Sequence, residues 1–146
     1  MSFHPVKCNI LRVYRKKWPI LSEYTLKGHK LANEQATKYL VVELSRDLSW
    51  KRHIDKIVKK GNSNLGFLRR NIQINHEEVK SAAYITLGRP GLQYCSTVWN
   101  PHNKDLIIKI EMVQRRAARF TTNKYHNTSS VSAMLNHLQW ESLESR

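Results

Sequence analysis

The sequence predicts an α+β fold, in which a short N-terminal region of strands and a β-hairpin is followed by a basic helical bundle. Three observations predict it. The first 45 residues contain short β-branched or loosely alternating stretches, two of them separated by a turn at residues 27–29. From Ser49 onward, apolar residues recur at spacings of three, four and seven. The two patterns follow one another without alternating, which disfavours a fold built from βαβ units.

Four strands are expected in the N-terminal region, and we expect them to belong to one sheet whose remaining strands are not evident in the sequence. They occupy residues 7–15, residues 20–26, a return strand that begins at Lys30, and residues 39–44. Lys27, Gly28 and His29 form the turn of a hairpin between the second and third strands. Residues 39–44, with the sequence YLVVEL, are apolar and β-branched, which predicts one buried strand.

The first predicted helix begins near Ser49, which is a suitable N-cap. Gly61 and Gly66 weaken it by about 1 kcal/mol each relative to alanine. Seven basic residues and one acidic residue between positions 51 and 70 give this segment a formal charge of +6. One face of the helix is expected in the core, and its residues are Ile54, Ile57, Val58, Leu65 and Leu68.

Three further helical stretches follow. Asn75 and Glu78 resemble a capping pair at the start of the second, which runs to about Trp99 with a kink at residues 88–91. The next presents an apolar face with basic residues around it, and Ser130 is expected to cap the last helix. The inward residues of these two helices are Leu106, Ile110, Val113, Ala117, Val131, Met134, Leu135 and Leu138. The apolar face of the second stretch is expected to comprise Val79, Ala82, Ala83, Leu87, Leu92, Cys95 and Val98.

The charge of the chain predicts a polyanionic partner. The formal net charge is +14 and the isoelectric point is about 10.1. The charge is uneven: residues 1–30 carry +6, residues 51–70 carry +6, and residues 104–119 carry +3, whereas residues 128–146 carry −1. Basic residues at helical spacing match the phosphates of nucleic acid. The candidate phosphate-binding residues are Lys51, Arg52, Lys56, Lys59, Lys60, Arg69, Arg70, Arg115, Arg116 and Arg119.

Patterns typical of catalysis and metal binding are missing from the sequence. The 11 acidic residues include no Asp-Asp pair, and the seven histidines show no HxxxH or HExxH spacing. Cys8 and Cys95 form no CxxC motif and are expected to be reduced thiols. No apolar run has the length of a transmembrane helix, and the N-terminus lacks the apolar region of a signal peptide. We expect no catalytic residue, no metal and no membrane partner, and an intracellular location, nuclear or cytoplasmic.

Several short motifs, taken together, resemble the C-terminal part of the reverse transcriptase of non-long-terminal-repeat (LINE-type) retrotransposons, especially the jockey-like group. They occur in the family's order and cover almost the whole chain. The motifs are FHPVKC at residues 3–8, YLVVEL at 39–44, LSW at 48–50, HI at 53–54, NLGFLRR at 64–70, RP at 89–90, LQY at 92–94, VWNP at 98–101, VQRRAARF at 113–120 and WESL at 140–143.

The resemblance implies a division of the chain and a role for each part. Residues 1–48 look like the end of the palm subdomain of this RNA-directed DNA polymerase, and residues 49–146 look like a helical thumb that cradles the template–primer duplex, truncated at its C-terminus. The partners are then RNA and RNA–DNA or DNA duplex. The primer-grip-like residues are Tyr39, Leu40, Val41 and Val42.

The same resemblance implies what the chain lacks. The family's catalytic Asp-Asp motif and the fingers are absent, so we expect an inactive fragment that misses the fingers and palm of an intact enzyme; Mg²⁺ is implied only for that enzyme. Val41 stands where the family usually has glycine, which we expect to alter primer positioning. Gly88 and Gly91 replace residues that are usually not glycine, which we expect to loosen the kinked helix.

Two alternatives differ from a polymerase fragment in class. The first is a self-standing basic module that reads DNA through its helices, although no turn has helix-turn-helix spacing and no base-reading residues stand out. The second is a non-functional translated relic of a mobile element, whose N-terminal strands expose edges and apolar surface. Strong preference for one duplex sequence indicates the first, and a broad, uncooperative thermal transition indicates the second.

Overall fold

The computed structural model of the protein describes residues 4–14, 17–20, 22–126 and 128–145. Helices account for 51% of the structure and short strands for 13%, so the predicted mixture of both is confirmed. Strands precede helices, as the sequence indicated. Contacts within the chain define two compact units, one ending at His53 and the other beginning at Ile54.

The described residues of the first unit form a 3₁₀ turn at Pro5–Lys7 and six short strands. Arg15 and Leu21, which the sequence assigned to the first two strands, lie outside the described residues. The observed strands are much shorter than the predicted ones. Only Asn9–Leu11 forms a strand within the described part of residues 7–15, and only Thr25–Leu26 does so within the described part of residues 20–26. The strands are β1 (Asn9–Leu11), β2 (Thr25–Leu26), β3 (His29–Lys30), β4 (Ala32–Glu34), β5 (Ala36–Tyr39) and β6 (Val42–Ser45).

The expectation of one sheet is wrong, because the six strands form three separate pairs. β1 and β4 are parallel, with Asn9 opposite Ala32, while β2–β3 and β5–β6 are antiparallel hairpins. The hairpin predicted at residues 27–29 is confirmed. Lys27 and Gly28 both have positive φ, 51° and 80°, as the preferred two-residue hairpin turns require.

The predicted strand at residues 39–44 is also wrong. The chain reverses at Leu40 and Val41, whose φ angles are 45° and 74°, so that Tyr39 pairs with Val42 across a hairpin. A single strand of this composition needs cover on both faces. Here Val42 is buried, whereas Tyr39, Leu40 and Val41 are all more than half exposed. Folding the run into a hairpin buries one valine and leaves the tip to solvent.

The helices of the second half are interrupted more often than the sequence suggested. The first three residues of α1 belong to the first unit and the remainder to the second. A π-helical turn at Tyr84–Gly88 joins two of the α-helices. The α-helices are α1 (Lys51–Asn71), α2 (Glu77–Ala83), α3 (Arg89–Gln93), α4 (Ser96–Trp99), α5 (Lys104–Thr122) and α6 (Val131–His137).

Two predicted helix caps are wrong and one is confirmed. α1 begins at Lys51, because Ser49 belongs to the preceding turn, where its backbone N–H donates to Asp47 Oδ1 at 3.1 Å. α2 follows His76 without a side-chain cap, because Asn75 Oδ1 accepts a hydrogen bond from Lys80 Nζ instead. Ser130 does cap α6, accepting from the Ala133 N–H at 3.3 Å.

The predicted kink near residues 88–91 is confirmed, and its cause is visible. The π-helical turn shifts the hydrogen-bonding pattern just before Pro90, which cannot donate to an α-helix. A Cβ on Gly88 would lie 2.6 Å from Tyr84 Cδ2, so glycine fits here because the buried tyrosine ring occupies the space. A second break, which the sequence did not reveal, occurs at Cys95 with φ 55°, and the helical stretch ends at Trp99 as expected.

The core of the second unit confirms the apolar faces predicted for α1, α5 and α6. The face predicted for the second helical stretch is wrong at Val79, Leu87 and Val98, which are exposed. α1 and α5 contribute most of it, and α1 passes through Gly61 and Gly66 without a break. Gly61 lies against the side chains of Leu92 and Val113. The largest buried contributors are Ile54, Leu65, Leu68, Tyr84, Leu92, Trp99, Ile110, Val113, Phe120, Met134 and Trp140.

Candidate nucleic-acid interface

Polar contacts along one side of the second unit show that α1 and α5 lie beside each other and run in the same direction. Lys109 Nζ forms an ion pair with Asp55 Oδ1 at 2.7 Å. Arg116 donates to Asn62 Oδ1 at 2.9 Å. Asp55 and Asn62 are seven residues apart, and so are Lys109 and Arg116. Because the contacting residues advance by seven positions in the same direction on both helices, α1 and α5 are parallel.

Two arginines of this pair have neutral partners. Arg116 binds the Asn62 amide oxygen, and Arg69 donates to the backbone carbonyl of Arg116 at 3.4 Å. The guanidinium of Arg69 also lies 6.0 Å from the ring centroid of Tyr125. Amide, carbonyl and aromatic groups orient a guanidinium without cancelling its charge. Both arginines therefore keep a full positive charge for an anion outside the protein.

Further basic side chains extend from this line of contacts on both helices. Lys59 lies one turn beyond Asp55 on α1, and Arg119 lies one turn beyond Arg116 on α5, so both neighbour the contacts by helical spacing. Most of these side chains are exposed, and Arg119 is half-buried. We call the following set the basic face: Lys56, Lys59, Lys60, Arg69, Arg70, Lys109, Arg115, Arg116 and Arg119.

Acidic residues reduce the charge of these helices only slightly. Residues 54–71 carry five basic side chains and one acidic side chain, and α5 carries five basic and two acidic. One of those two, Glu111, is engaged elsewhere, since its Oε1 accepts the backbone N–H groups of Leu143 and Glu144. The formal charges, +4 for residues 54–71 and +3 for α5, therefore describe a surface that favours polyanions.

The remaining predicted site residues lie in the first unit. Lys51 and Arg52 are exposed in the first turn of α1, and Arg52 lines a cavity described below. The four primer-grip-like residues occupy the tip of the β5–β6 hairpin. Tyr39, Leu40 and Val41 are exposed there, whereas the side chain of Val42 is turned into the unit.

Lys109, Asn62 and Tyr125 contribute to this surface although they were not among the predicted binding residues. Lys109 was expected only to flank an apolar face. Their role depends on the parallel pairing of two helices about 50 residues apart in sequence. No local pattern encodes that pairing. A shared heptad spacing of polar residues on the two helices was the one available signal.

Metal ligands, thiols and apolar helices would be further signs of function. Across the described ranges, no group of three or more His, Cys, Asp or Glu side chains is arranged to hold a metal ion. Cys8 and Cys95 are both free thiols. In the same part of the chain, no helix has the length and apolar character needed to cross a membrane.

Comparisons with known proteins do not assign the chain to a family. No protein-family model, no curated protein and no solved structure matches it. The resemblance to a reverse transcriptase therefore remains a prediction. The charge and geometry of α1 and α5 are the features from which a function can be argued.

Proposed function

We propose that this protein binds double-stranded nucleic acid, an RNA–DNA hybrid above all, through the phosphates along its basic face. The observation that carries the proposal is the parallel pairing of α1 and α5, which aligns Arg69 and Arg116 and gives both of them neutral partners. Guanidinium groups held in this way are oriented and still charged. They suit phosphate oxygens, which accept paired hydrogen bonds from arginine.

The spacing of the basic face suits a phosphate backbone. Ten residues separate Lys59 from Arg69 on α1, a rise of about 15 Å along the helix, which spans roughly four phosphates of one strand. Lysines and arginines that contact phosphates bind without reading base sequence. The same property is needed by a polymerase thumb, which holds a duplex as it advances. The proposal therefore agrees with the resemblance to the thumb of a non-LTR reverse transcriptase.

The proposal also gives the β5–β6 hairpin a role. In the resemblance, its tip corresponds to the primer grip, and Tyr39, Leu40 and Val41 are exposed and available to contact a strand end. Val42 anchors the hairpin by burial. Polymerisation itself is not part of the proposal, because the sequence contains no Asp-Asp pair to hold Mg²⁺.

The test is the salt dependence of hybrid binding. Fluorescence anisotropy of a labelled RNA–DNA hybrid, measured between about 50 and 200 mM salt, gives a slope of log affinity against log salt. For the double variant Lys59→Gln/Lys60→Gln we expect a slope smaller by about 1.8, since each phosphate contact contributes about 0.9. The matched control is Lys7→Gln/Lys27→Gln, which removes the same charge from exposed sites of the first unit outside the β5–β6 hairpin.

Equal slopes for the two double variants would contradict a role for the basic face, because net charge alone would then determine binding. A marked preference for one duplex sequence would favour a DNA-reading module instead. If purified protein shows only a broad, uncooperative thermal transition and weak low-salt binding, the chain is a relic whose charge no longer has a function.

A further inference from the structure

A cavity of about 340 Å³ opens in the first unit, where the β5–β6 hairpin ends and α1 begins. Its size falls in the range of small-ligand sites. The lining is mostly polar and includes two arginines and one carboxylate. The lining residues are Tyr14, Gln35, Ser45, Arg46, Asp47 and Arg52.

Arg46 is held in place on two sides. Its guanidinium lies over the Tyr14 ring, 4.1 Å from the centroid, a distance typical of cation–π stacking. Its backbone N–H donates to the Gln35 carbonyl at 2.9 Å, which closes the open end of the β5–β6 hairpin. The side chain is half-buried. A guanidinium fixed in this way loses little conformational freedom when it binds an anion.

The other polar groups of the cavity differ in what they can offer. Arg52, in the first turn of α1, brings a second guanidinium, and the Gln35 side chain is exposed. The Ser45 hydroxyl already donates to the Ser49 carbonyl at 3.2 Å, so its proton is engaged. The Asp47 carboxylate accepts the Ser49 N–H at 3.1 Å and reduces the positive charge of the site by one.

We propose that this cavity binds a phosphate group between the guanidinium groups of Arg46 and Arg52, with the Gln35 amide and the Tyr14 hydroxyl as neutral donors. Two arginines against one aspartate leave a charge of +1, which repels cations. Planar guanidinium groups match the tetrahedral oxygens of phosphate in pairs. The inference is independent of the basic face, since all six lining residues lie in the first unit.

Isothermal titration calorimetry of the full chain tests the proposal, with three ligands: inorganic phosphate, a 5′-phosphorylated trinucleotide and the same trinucleotide with a 5′-hydroxyl. We expect Arg46→Gln and Arg52→Gln each to weaken phosphate binding about tenfold or more. Asp47→Asn should tighten it, because the repelling charge is removed while the Ser49 hydrogen bond can persist. The matched control, Lys7→Gln/Lys27→Gln, changes exposed lysines of the first unit outside the cavity and should leave phosphate affinity unchanged.

The two sources of a phosphate group give different patterns. Tighter binding of the phosphorylated trinucleotide than of its hydroxyl counterpart indicates that the site takes the phosphate of a strand end. If inorganic phosphate binds as tightly as the phosphorylated trinucleotide, the site takes the free anion. Either outcome supports the site. The proposal is overturned if folded Arg46→Gln and Arg52→Gln, checked by circular dichroism, bind phosphate as well as the natural protein. Hybrid binding through the basic face can fail or succeed separately, since different variants report on it.

Discussion

Gly61 lies where α1, α3 and α5 meet, and replacing it with alanine tests that packing. A Cβ at this position would lie 3.0 Å from Leu92 Cδ2 and 3.2 Å from Val113 Cγ1. Both distances are shorter than the 3.5–4.0 Å of a normal carbon contact. Leu92 and Val113 are fully buried, so neither can move away easily. Overpacking of this kind costs about 1–3 kcal/mol.

Gly66 on the same helix supplies the matched control. A Cβ there meets only the guanidinium of Arg70, at 3.4 Å, and that side chain is exposed and flexible. Both substitutions gain about 1 kcal/mol of helix propensity. We therefore expect Gly66→Ala to stabilise the protein by about 0.5–1 kcal/mol and Gly61→Ala to destabilise it by up to about 2 kcal/mol.

Urea unfolding followed by the helical circular dichroism signal measures the two free energies of unfolding. The difference between the variants isolates the steric cost, because the propensity gain is common to both. We expect a difference of about 1–3 kcal/mol. If Gly61→Ala stabilises the protein as much as Gly66→Ala does, α1 does not pack against α3 and α5 as described, and the alignment of the basic face is lost with it.

Three further substitutions test individual features. Val41→Gly should raise the thermal midpoint and increase the free energy of unfolding by about 0.5–1 kcal/mol, because a β-branched residue at φ 74° is strained and glycine is not. A lower midpoint would contradict the turn at Leu40 and Val41. Tyr84→Phe should stabilise by about 1 kcal/mol, because the buried hydroxyl has no hydrogen-bond partner among the described residues. Burial also raises the pKa of Tyr84 well above its ordinary value of 10. As the pH rises above 10, the phenol therefore ionises in the unfolded chain before it does so in the folded chain, and the free energy of unfolding falls. The variant should lack this alkaline loss in unfolding measured from pH 9 to 11, and an unchanged loss would argue against burial of the phenol. Ser130→Ala should lower the free energy of unfolding by about 1 kcal/mol, because it removes the cap of α6. Ser132 is exposed in the same helix, and Ser132→Ala should change the free energy of unfolding little in the same urea assay.

Much of the helical half could be predicted from the sequence, because its signals are local. The spacing of Ile54, Leu65 and Leu68 marks one face of a helix whatever it packs against, and all three are buried. Ser130 stands directly before an apolar-periodic stretch and caps it. The turn at Gly28 is likewise encoded by a residue that tolerates positive φ.

The errors arose where tertiary structure overrides local preference. Leu40 and Val41 are poor turn residues, so a run that looks like one strand hides a hairpin. Asn75 has the spacing of a cap, yet its side chain binds Lys80. The N-terminal strands were expected in one sheet, but they form separate two-stranded pairs.

The candidate site was predictable in composition but not in geometry. The sequence identifies basic residues on α1 and α5 by spacing and charge alone. It does not reveal that Asn62 and Arg116 meet, or that Asp55 neutralises Lys109. Such pairs depend on the direction and offset of two helices, which are set by the packing around Gly61 and not by either helix alone.

Lysine footprinting tests the basic face most directly. The protein is treated with a lysine-modifying reagent with and without RNA–DNA hybrid at near-physiological salt, and each modified site is quantified by mass spectrometry. We expect the hybrid to protect Lys59 and Lys60, while Lys7 and Lys27, which are exposed in the first unit outside the β5–β6 hairpin, react as before. Equal protection of all four lysines, or of none, would contradict binding of a duplex by α1 and α5.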